Sequence, residues 1–237
     1  MSVEYSAKFF ELGVYWYVVF LFSLVIHEAA HALVAMKLGD KTAYKGGQVS
    51  LNPLPHIKQE KVGTTAVPIF AYLTSGWMLG WASAPYDPEW AQKYPRRSAI
   101  MALAGPVSNL LLVVISIVII KAGFQFGIFD YPEIIDYSTV TYSTDNVYEL
   151  ITIFLSILFS LNLVLFIFNL LPFPGFDGGH ALLLFAPKAR VDSIQTFMNR
   201  PKLIIFSLGA GWLLFDFIFE PIHLFFVNLL YPGIVYG

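Results

Sequence analysis

The stretch VYWYVVFLFSLVIHEAAHALVAMKL, residues 14–38, is apolar and long enough to cross a lipid bilayer as a helix. It contains the pentapeptide HEAAH at residues 27–31. On a helix, His27 and His31 present two imidazoles on one face at the spacing that a tetrahedral zinc site needs, and Glu28 lies beside them as a candidate general base. Two buried histidines that only pack are the alternative. Ionisable groups are costly at membrane depth, so the stretch favours a metalloprotease site inside a membrane.

The composition indicates an integral membrane protein. Apolar residues make up 57% of the chain and charged residues 13%, against roughly 25% charged in an ordinary soluble domain. The net charge of −2 argues against a nucleic-acid partner. The chain has no cysteine, which excludes disulfides, thiolate metal ligands and a cysteine nucleophile. Any metal must therefore be held by His, Asp or Glu.

Hydropathy predicts four membrane-crossing helices and one doubtful segment. The apolar stretches of about 20 residues cover roughly 12–38, 98–121, 147–171 and 203–219 or beyond, with Pro221 interrupting the last. A fifth apolar stretch, 62–82, is broken by Pro68, Gly76 and Gly80. Whether this stretch crosses the membrane or re-enters decides the topology.

The distribution of charge favours re-entry. If 62–82 returns to the side from which it starts, 12 of the 14 Lys and Arg residues share one compartment. The 122–147 loop on the other side then has four acidic residues and no Lys or Arg. The positive-inside rule assigns the basic side to the cytoplasm. If the stretch crossed instead, the first and third long segments would run antiparallel, and metal ligands on them could not meet.

A third ligand is predicted where the third apolar segment ends. The sequence NLLPFPGFDGGH, residues 169–180, places two prolines and a glycine after the helix and then a carboxylate, Asp177. A catalytic zinc needs three protein ligands and an open position for water, and the two histidines supply only two. Asp177 completes the set. The alternative is an exposed turn residue, since Asp-Gly is common in turns.

These two motifs together resemble the site-2 protease family of intramembrane zinc metalloproteases. Two weaker blocks extend the resemblance over about residues 20–185: SLNPL at 50–54 with His56, and Gly80-Trp81 leading to AGPVSN at 104–109. The chain has no PDZ-sized insertion and no nucleotide-sensing domain, so it resembles the compact members. His56 opens a block that often reads His-Ile-Asp-Pro in relatives but here reads His-Ile-Lys-Gln.

The resemblance implies zinc as cofactor and assigns a role to five residues. The implied zinc ligands are His27, His31 and Asp177. It also implies Glu28 as the catalytic base and Asn169 as a catalytic polar group near the metal. The implied activity is cleavage of transmembrane segments of protein substrates close to the cytoplasmic side, with water as the nucleophile. The chain would then be a multi-pass protein of the cell membrane.

The expected fold is an all-α polytopic membrane protein with a single domain over residues 1–237. We expect a bundle of four to six transmembrane helices, a catalytic core over about 12–185 and a C-terminal helical segment over about 203–231. The alternation in 47–52 predicts a short β-hairpin near the active site. That hairpin either packs under the re-entrant segment or pairs with an extended substrate by strand addition.

Two other functions remain open at this point. A membrane zinc transporter could use the same ligands, although no inverted repeat is visible and Glu28 would have no task. A non-catalytic membrane scaffold could hold a transmembrane partner without cutting it, although its ligands and base would not need to be complete. His56 and His180 are further candidate ligands, but a lone loop histidine is more often solvated. The sequence predicts that the protein lies in a lipid bilayer, and it does not indicate an oligomeric state.

Overall fold

The computed structural model describes the backbone of residues 3–234 and 236, and the side chains of residues 7–211, 213, 214, 217–234 and 236. The helices, in chain order, are α1 (Val3–Leu38), α2 (Thr42–Lys45), α3 (Pro53–Gln59), α4 (Val67–Ser75), α5 (Pro88–Lys93), α6 (Pro95–Gln125), α7 (Glu149–Asn169), α8 (Asp177–Ala181), α9 (Val191–Met198), α10 (Pro201–Leu213) and α11 (Phe215–Leu230). A π-helical turn, Val62–Ala66, leads into α4, and short 3₁₀ turns cover Asn146–Tyr148, Leu182–Leu184 and Lys188–Arg190.

Three long helices form the centre of the bundle. By length and composition, the helical stretches Ala7–Leu38, Pro95–Gln125 and Asn146–Asn169 can each cross a membrane, as predicted for the first three apolar segments. Helices α1, α6 and α7 pack on one another. Buried apolar side chains of α1 and α7, among them Phe20 and Leu161, form one core between these helices. A second core joins α6 and α7 to α11.

The doubtful segment returns to the end of the bundle at which it begins. Its helix α4 ends at Ser75 and is followed by Gly76, which adopts a left-handed conformation (φ +80°). The ring of Trp77 lies 6.2 Å from that of Tyr137 in the loop between α6 and α7. The chain then runs back until the Trp81 amide donates to the Gly63 carbonyl at 3.1 Å. The Asp87 amide donates to Asp40, just beyond the C-terminus of α1. The segment therefore starts and finishes at the same end of the helix bundle.

The predicted β-hairpin at 47–52 is wrong. In the part of the chain that the structure describes, strand-like pairing is limited to two isolated bridges, Asp130 with Tyr142 and Asp136 with Thr139. Local side chains bind the backbone of the 47–52 loop instead. Ser50 Oγ accepts from the Asn52 amide, Asn52 Oδ1 accepts from the Leu54 amide as the N-cap of α3, and His56 Nε2 lies 3.1 Å from the Ser50 carbonyl. These bonds satisfy groups that a strand ladder would otherwise use.

The predicted fourth span is divided. Two shorter apolar helices, α10 and α11, meet at Leu214, and Pro221 lies within α11 rather than ending a helix. Neither has the length of the three long helices. Helix α11 packs on α7 through fully buried side chains such as Phe219 and Val227. The Lys121 ammonium at the far end of α6 donates to the Leu229 carbonyl.

Candidate active site

The metal-binding candidates converge near the C-terminal end of α1. His27 and His31 lie on one face of α1, and their Nε2 atoms are 3.0 Å apart. Asp177, the first residue of α8, brings its Oδ2 atom to 3.2 Å from each of these nitrogens. All three side chains are largely buried within the helix bundle. The structure thus brings together the three predicted zinc ligands, although 146 residues separate His31 from Asp177 in the sequence.

The other ring nitrogen of each histidine faces an oxygen acceptor. His27 Nδ1 lies 2.6 Å from Asn109 Oδ1, and His31 Nδ1 lies 2.8 Å from the carbonyl oxygen of Met101. The Met101 carbonyl can only accept, so Nδ1 of His31 carries the proton, and the Asn109 oxygen assigns the same tautomer to His27. In the neutral rings, both Nε2 atoms then present lone pairs. Partners of this kind on the second nitrogen are typical of metal-ligating histidines.

The three facing atoms fit a zinc ion. Two Nε2 lone pairs cannot donate to the Asp177 carboxylate, and Oδ2 of Asp177 is a buried atom without a hydrogen-bond donor among the described residues. With neutral rings, three acceptors within 3.2 Å repel one another, and a cation between them would relieve that repulsion. Zinc–nitrogen bonds of about 2.0–2.1 Å place tetrahedral ligands about 3.3 Å apart, close to the observed triangle. His27, His31 and Asp177 would hold the ion and leave a fourth position open.

Glycines allow the helices to approach the site. A Cβ atom on Gly105 of α6 would lie within 2.5 Å of His27 Nε2, so any side chain there would occupy the metal position. A Cβ on Gly178 would collide with the carbonyl groups of Leu170 and Leu171. At Gly105, helix α6 therefore packs directly against the two imidazoles of α1. Gly178 lets α8 fold back under the end of α7.

The end of α7 supplies the turn that presents Asp177. The helix ends at Asn169, before Pro172 and Pro174 can interrupt it, and Gly175 has a φ of +91°, which other residues rarely adopt. Asp177 then begins α8, where a carboxylate interacts favourably with the N-terminal end of the helix. The local sequence therefore places the carboxylate close to the end of α7, level with His31.

Glu28 and Asn169 line the same cavity as the three ligands. The cavity has a volume of about 280 Å³ and is open to the surface. Glu28 is 4% exposed, and its carboxylate lies within 4.8 Å of a ring nitrogen of His27 and of His31. Asn169 is half-buried, and its Nδ2 donates to the Leu165 carbonyl of its own helix, which leaves Oδ1 for the cavity. Both are placed to touch a substrate bound here.

The two further histidines differ in position. His180 lines the cavity, and burial lowers its pKa below the usual value, so the imidazole stays neutral near the metal position. His56 is buried in α3, with Nε2 directed to the Ser50 carbonyl, and it does not line the cavity. His56 therefore binds the backbone of the 47–52 loop and is not part of the cavity wall.

This arrangement of His-Glu-His on a membrane-crossing helix with a distant aspartate defines an intramembrane zinc metalloprotease. Comparison with known proteins gives the same class. The family described as Peptidase family M50 matches residues 15–209. The chain therefore belongs to peptidase family M50, the site-2 protease family, and it is an integral membrane metallopeptidase.

Two curated relatives carry names of this class. The chain is 36% identical over 201 residues to "Putative zinc metalloprotease YwhC" of Bacillus subtilis, covering 83% of this chain and 82% of the relative. It is 27% identical over 162 residues to "Putative zinc metalloprotease Rip2" of Mycolicibacterium smegmatis, covering 68% of this chain and 53% of the relative. No solved structure matches the chain.

The ligand triangle predicts opposite results for two neighbouring residues. Asp177→Ala removes one corner of the triangle and should lower zinc affinity and abolish cleavage. His180→Ala removes a side chain of the cavity wall and should keep one zinc per chain with a modest loss of activity. Zinc content of the purified chain in detergent, measured by atomic emission, checks both. If His180→Ala loses the metal and Asp177→Ala keeps it, the site consists of three histidines.

Proposed function

We propose that the chain hydrolyses peptide bonds within or next to transmembrane segments of other membrane proteins. The ligand triangle of His27, His31 and Asp177 would hold the zinc, with Glu28 as the base. The observation that supports this most directly is the position of Glu28. Its carboxylate lies beside the triangle and faces an open cavity inside a bundle of membrane-length helices. A transport or scaffold site has no use for a base at that place.

The chemistry divides between the metal and the chain. Zinc, when bound, acts as a Lewis acid that acidifies a water molecule and polarises the scissile carbonyl. Glu28 accepts the proton of the attacking water and delivers it to the amine that leaves when the carbon–nitrogen bond breaks. Asn169 is placed to donate to, or accept from, the substrate backbone near the reacting carbonyl. No acyl-enzyme forms, because water is the nucleophile.

A transmembrane substrate must unwind before it can react. Its peptide groups are hidden in intrahelical hydrogen bonds, and at membrane depth freed groups need new partners. Residues 78–87 contain no helix, turn or bend, and we infer that they form an extended run, whose Gly80–Ala84 part lines the cavity. An extended run next to the metal can supply those partners.

The hydrogen bonds of the run show which edge is free. The amide of Trp81 donates to Gly63, and the carbonyl of Ser83 accepts from Gln48, so these two odd-numbered residues face the protein. In extended chain, successive residues direct their amide and carbonyl groups to opposite sides. Ala82 and Ala84 then face away, and their backbone groups have no partner among the described residues. We infer that substrate pairs here by strand addition, and not at 47–52.

The orientation that we propose places the metal end of the bundle towards the cytoplasm, in the cell membrane. At that end the Asp87 amide donates to Asp40, and Gln195 of α9 donates to the Ala91 carbonyl. The basic loops that follow α1, α4 and α8 therefore lie at the same end of the bundle. The acidic loop 126–148 lies at the other end, beside the C-terminus of α11. The positive-inside rule supports this orientation, and 62–82 is then re-entrant.

Glu28→Gln tests the catalytic proposal. The variant keeps the three ligands, so it should retain about one zinc per chain. Loss of the base should slow cleavage of membrane-spanning peptides by about 10²–10⁴-fold. Purified wild type and variant, loaded with zinc, are compared on the same peptide panel by mass spectrometry. Turnover near that of wild type would contradict the mechanism, and loss of zinc from a folded variant would make Glu28 a ligand.

Disulfide trapping tests strand addition, because the chain has no native cysteine. In the Glu28→Gln background, Ala82→Cys and Ala84→Cys should each cross-link to single cysteines along the cleaved segment of a substrate. Because side chains on one face of a strand recur every two residues, the two variants should prefer substrate positions two apart. Phe70→Cys, on an exposed face of α4, is the control. Equal trapping at all three positions, or a missing two-residue offset, would contradict the pairing.

Labelling of single cysteines tests the topology. Cysteine at Lys41, Lys93 or Arg190, all exposed, should react with a membrane-impermeant maleimide only after the cells are permeabilised. Cysteine at Asp136, exposed in the 126–148 loop, should react in intact cells. Labelling of positions 41 and 93 from opposite sides would show that 62–82 crosses the membrane.

A further inference from the structure

A chain of buried polar side chains leads from the metal position to the middle of the bundle. Asn109 Oδ1 faces His27 Nδ1 at 2.6 Å, and Asn109 Nδ2 donates to Asn162 Oδ1 at 2.8 Å. Asn162 Nδ2 donates to Ser23 Oγ and to the Leu158 carbonyl, each at 2.8 Å. Ser23, Asn109 and Asn162 have no exposed surface at all. These side chains, from Ser23 through Asn162 and Asn109 to His27, form a polar chain that joins all three long helices.

The orientation of the two amides in this polar chain is fixed at the end that lies away from His27. The Leu158 carbonyl can only accept, so the nitrogen of the Asn162 amide must face it and the oxygen must face Asn109. Asn109 must then present its nitrogen to Asn162, which turns its own oxygen to His27. His27 can meet that oxygen only with a proton on Nδ1. Each amide thus has one permitted orientation.

We propose that Asn162 is a positioning residue that sets the tautomer of His27 through Asn109. Asn162 touches neither the metal position nor the cavity, yet it determines which nitrogen of His27 carries the proton and which is free for zinc. Without Asn162, the Asn109 amide could rotate and offer its nitrogen to His27 Nδ1. His27 would then place its proton on Nε2, where it blocks the metal. This inference rests on His27 as a zinc ligand.

The position of Asn162 in α7 supports a functional role. A polar amide in the middle of an apolar, membrane-length helix is costly unless it is fully paired. An apolar side chain with the same branching at Cγ, such as Leu, would not carry that cost. The side chain of Asn162 bonds to Asn109 and Ser23, both in the polar chain that ends at His27. Its one other bond, to the Leu158 carbonyl, fixes the orientation of the amide. The geometry therefore connects its presence to the metal ligand.

Zinc affinity is the readout that tests this proposal. The purified full-length chain in detergent competes for zinc with a chromophoric chelator. Asn162→Leu should weaken zinc binding by about 10–100-fold, the effect typical of losing a partner of a metal-ligating histidine. Ser23→Ala should have a much smaller effect, because the Leu158 carbonyl still fixes the amide. Ser160→Ala is the matched control: it removes a buried hydrogen bond from the same helix, to His223, without touching this chain.

A second substitution separates the tautomer from packing. Asn109→Asp offers His27 an acceptor whichever way the carboxylate turns, so it should restore zinc affinity when combined with Asn162→Leu. A packing role would not be rescued in this way. Asn162→Ala gives the same comparison if Asn162→Leu does not fold, as judged by size-exclusion chromatography.

Two outcomes would overturn the inference. One is wild-type zinc affinity in the folded Asn162→Leu chain, and the other is failure of Asn109→Asp to restore affinity. His27→Ala distinguishes these from failure of the proposed function. If wild type binds no zinc, or if His27→Ala keeps it, the site assignment itself is wrong.

Discussion

Repulsion among three buried acceptor atoms is the constraint on which the rest of the structure depends. His27 Nε2, His31 Nε2 and Asp177 Oδ2 lie within 3.2 Å of one another, and none can donate to another when both rings are neutral with the proton on Nδ1. A cation bound between the three atoms would remove that repulsion. The surrounding residues do two things. They fix the histidine tautomers through the Nδ1 atoms, and at Gly105 they leave the space next to the Nε2 atoms free of a side chain. Helix α6 meets both demands, with Asn109 and the Met101 carbonyl on one side and a missing side chain on the other.

The same demand explains why the helices are arranged as they are. The candidate ligands lie on α1 and at the start of α8, just beyond the end of α7. Helices α1 and α7 must therefore run in the same direction, and α6 must run between them in the opposite one. A chain that passes from α1 to α6 through a segment that returns to its starting end satisfies this condition. The bond between the amide of Asp87 and Asp40 fastens the returning chain to the end of α1. The return also lays residues 80–84 along the cavity, so one topological requirement provides both the metal site and the edge beside it.

How much the sequence revealed depended on the range of the interaction. The His-Glu-His spacing is a property of one helix, and the unwinding before Asp177 follows from two prolines and a glycine, so both could be predicted locally. The hairpin at 47–52 could not be judged by alternation, because Ser50 and Asn52 satisfy the nearby backbone themselves. The break of the last apolar segment at Leu214 had no proline to mark it. The link from Ser23 to Asn162 spans 139 residues, and no local pattern announces it.

Ser23 shows how the polar chain is built into the apolar helices at small cost. It lies four residues before His27 and eight before His31, so all three occupy one face of α1 at helical spacing, while the opposite face carries exposed apolar side chains such as Val18 and Phe22. Asn109 and Asn162 meet this face from α6 and α7, and every amide group in the chain has a partner. A polar chain that is complete in this way avoids the penalty of burial, and any single apolar replacement leaves an unpaired group in the middle of the bundle. The polar face of α1 is therefore one continuous structure, with Ser23 at the inner end and the two candidate metal ligands at the outer end.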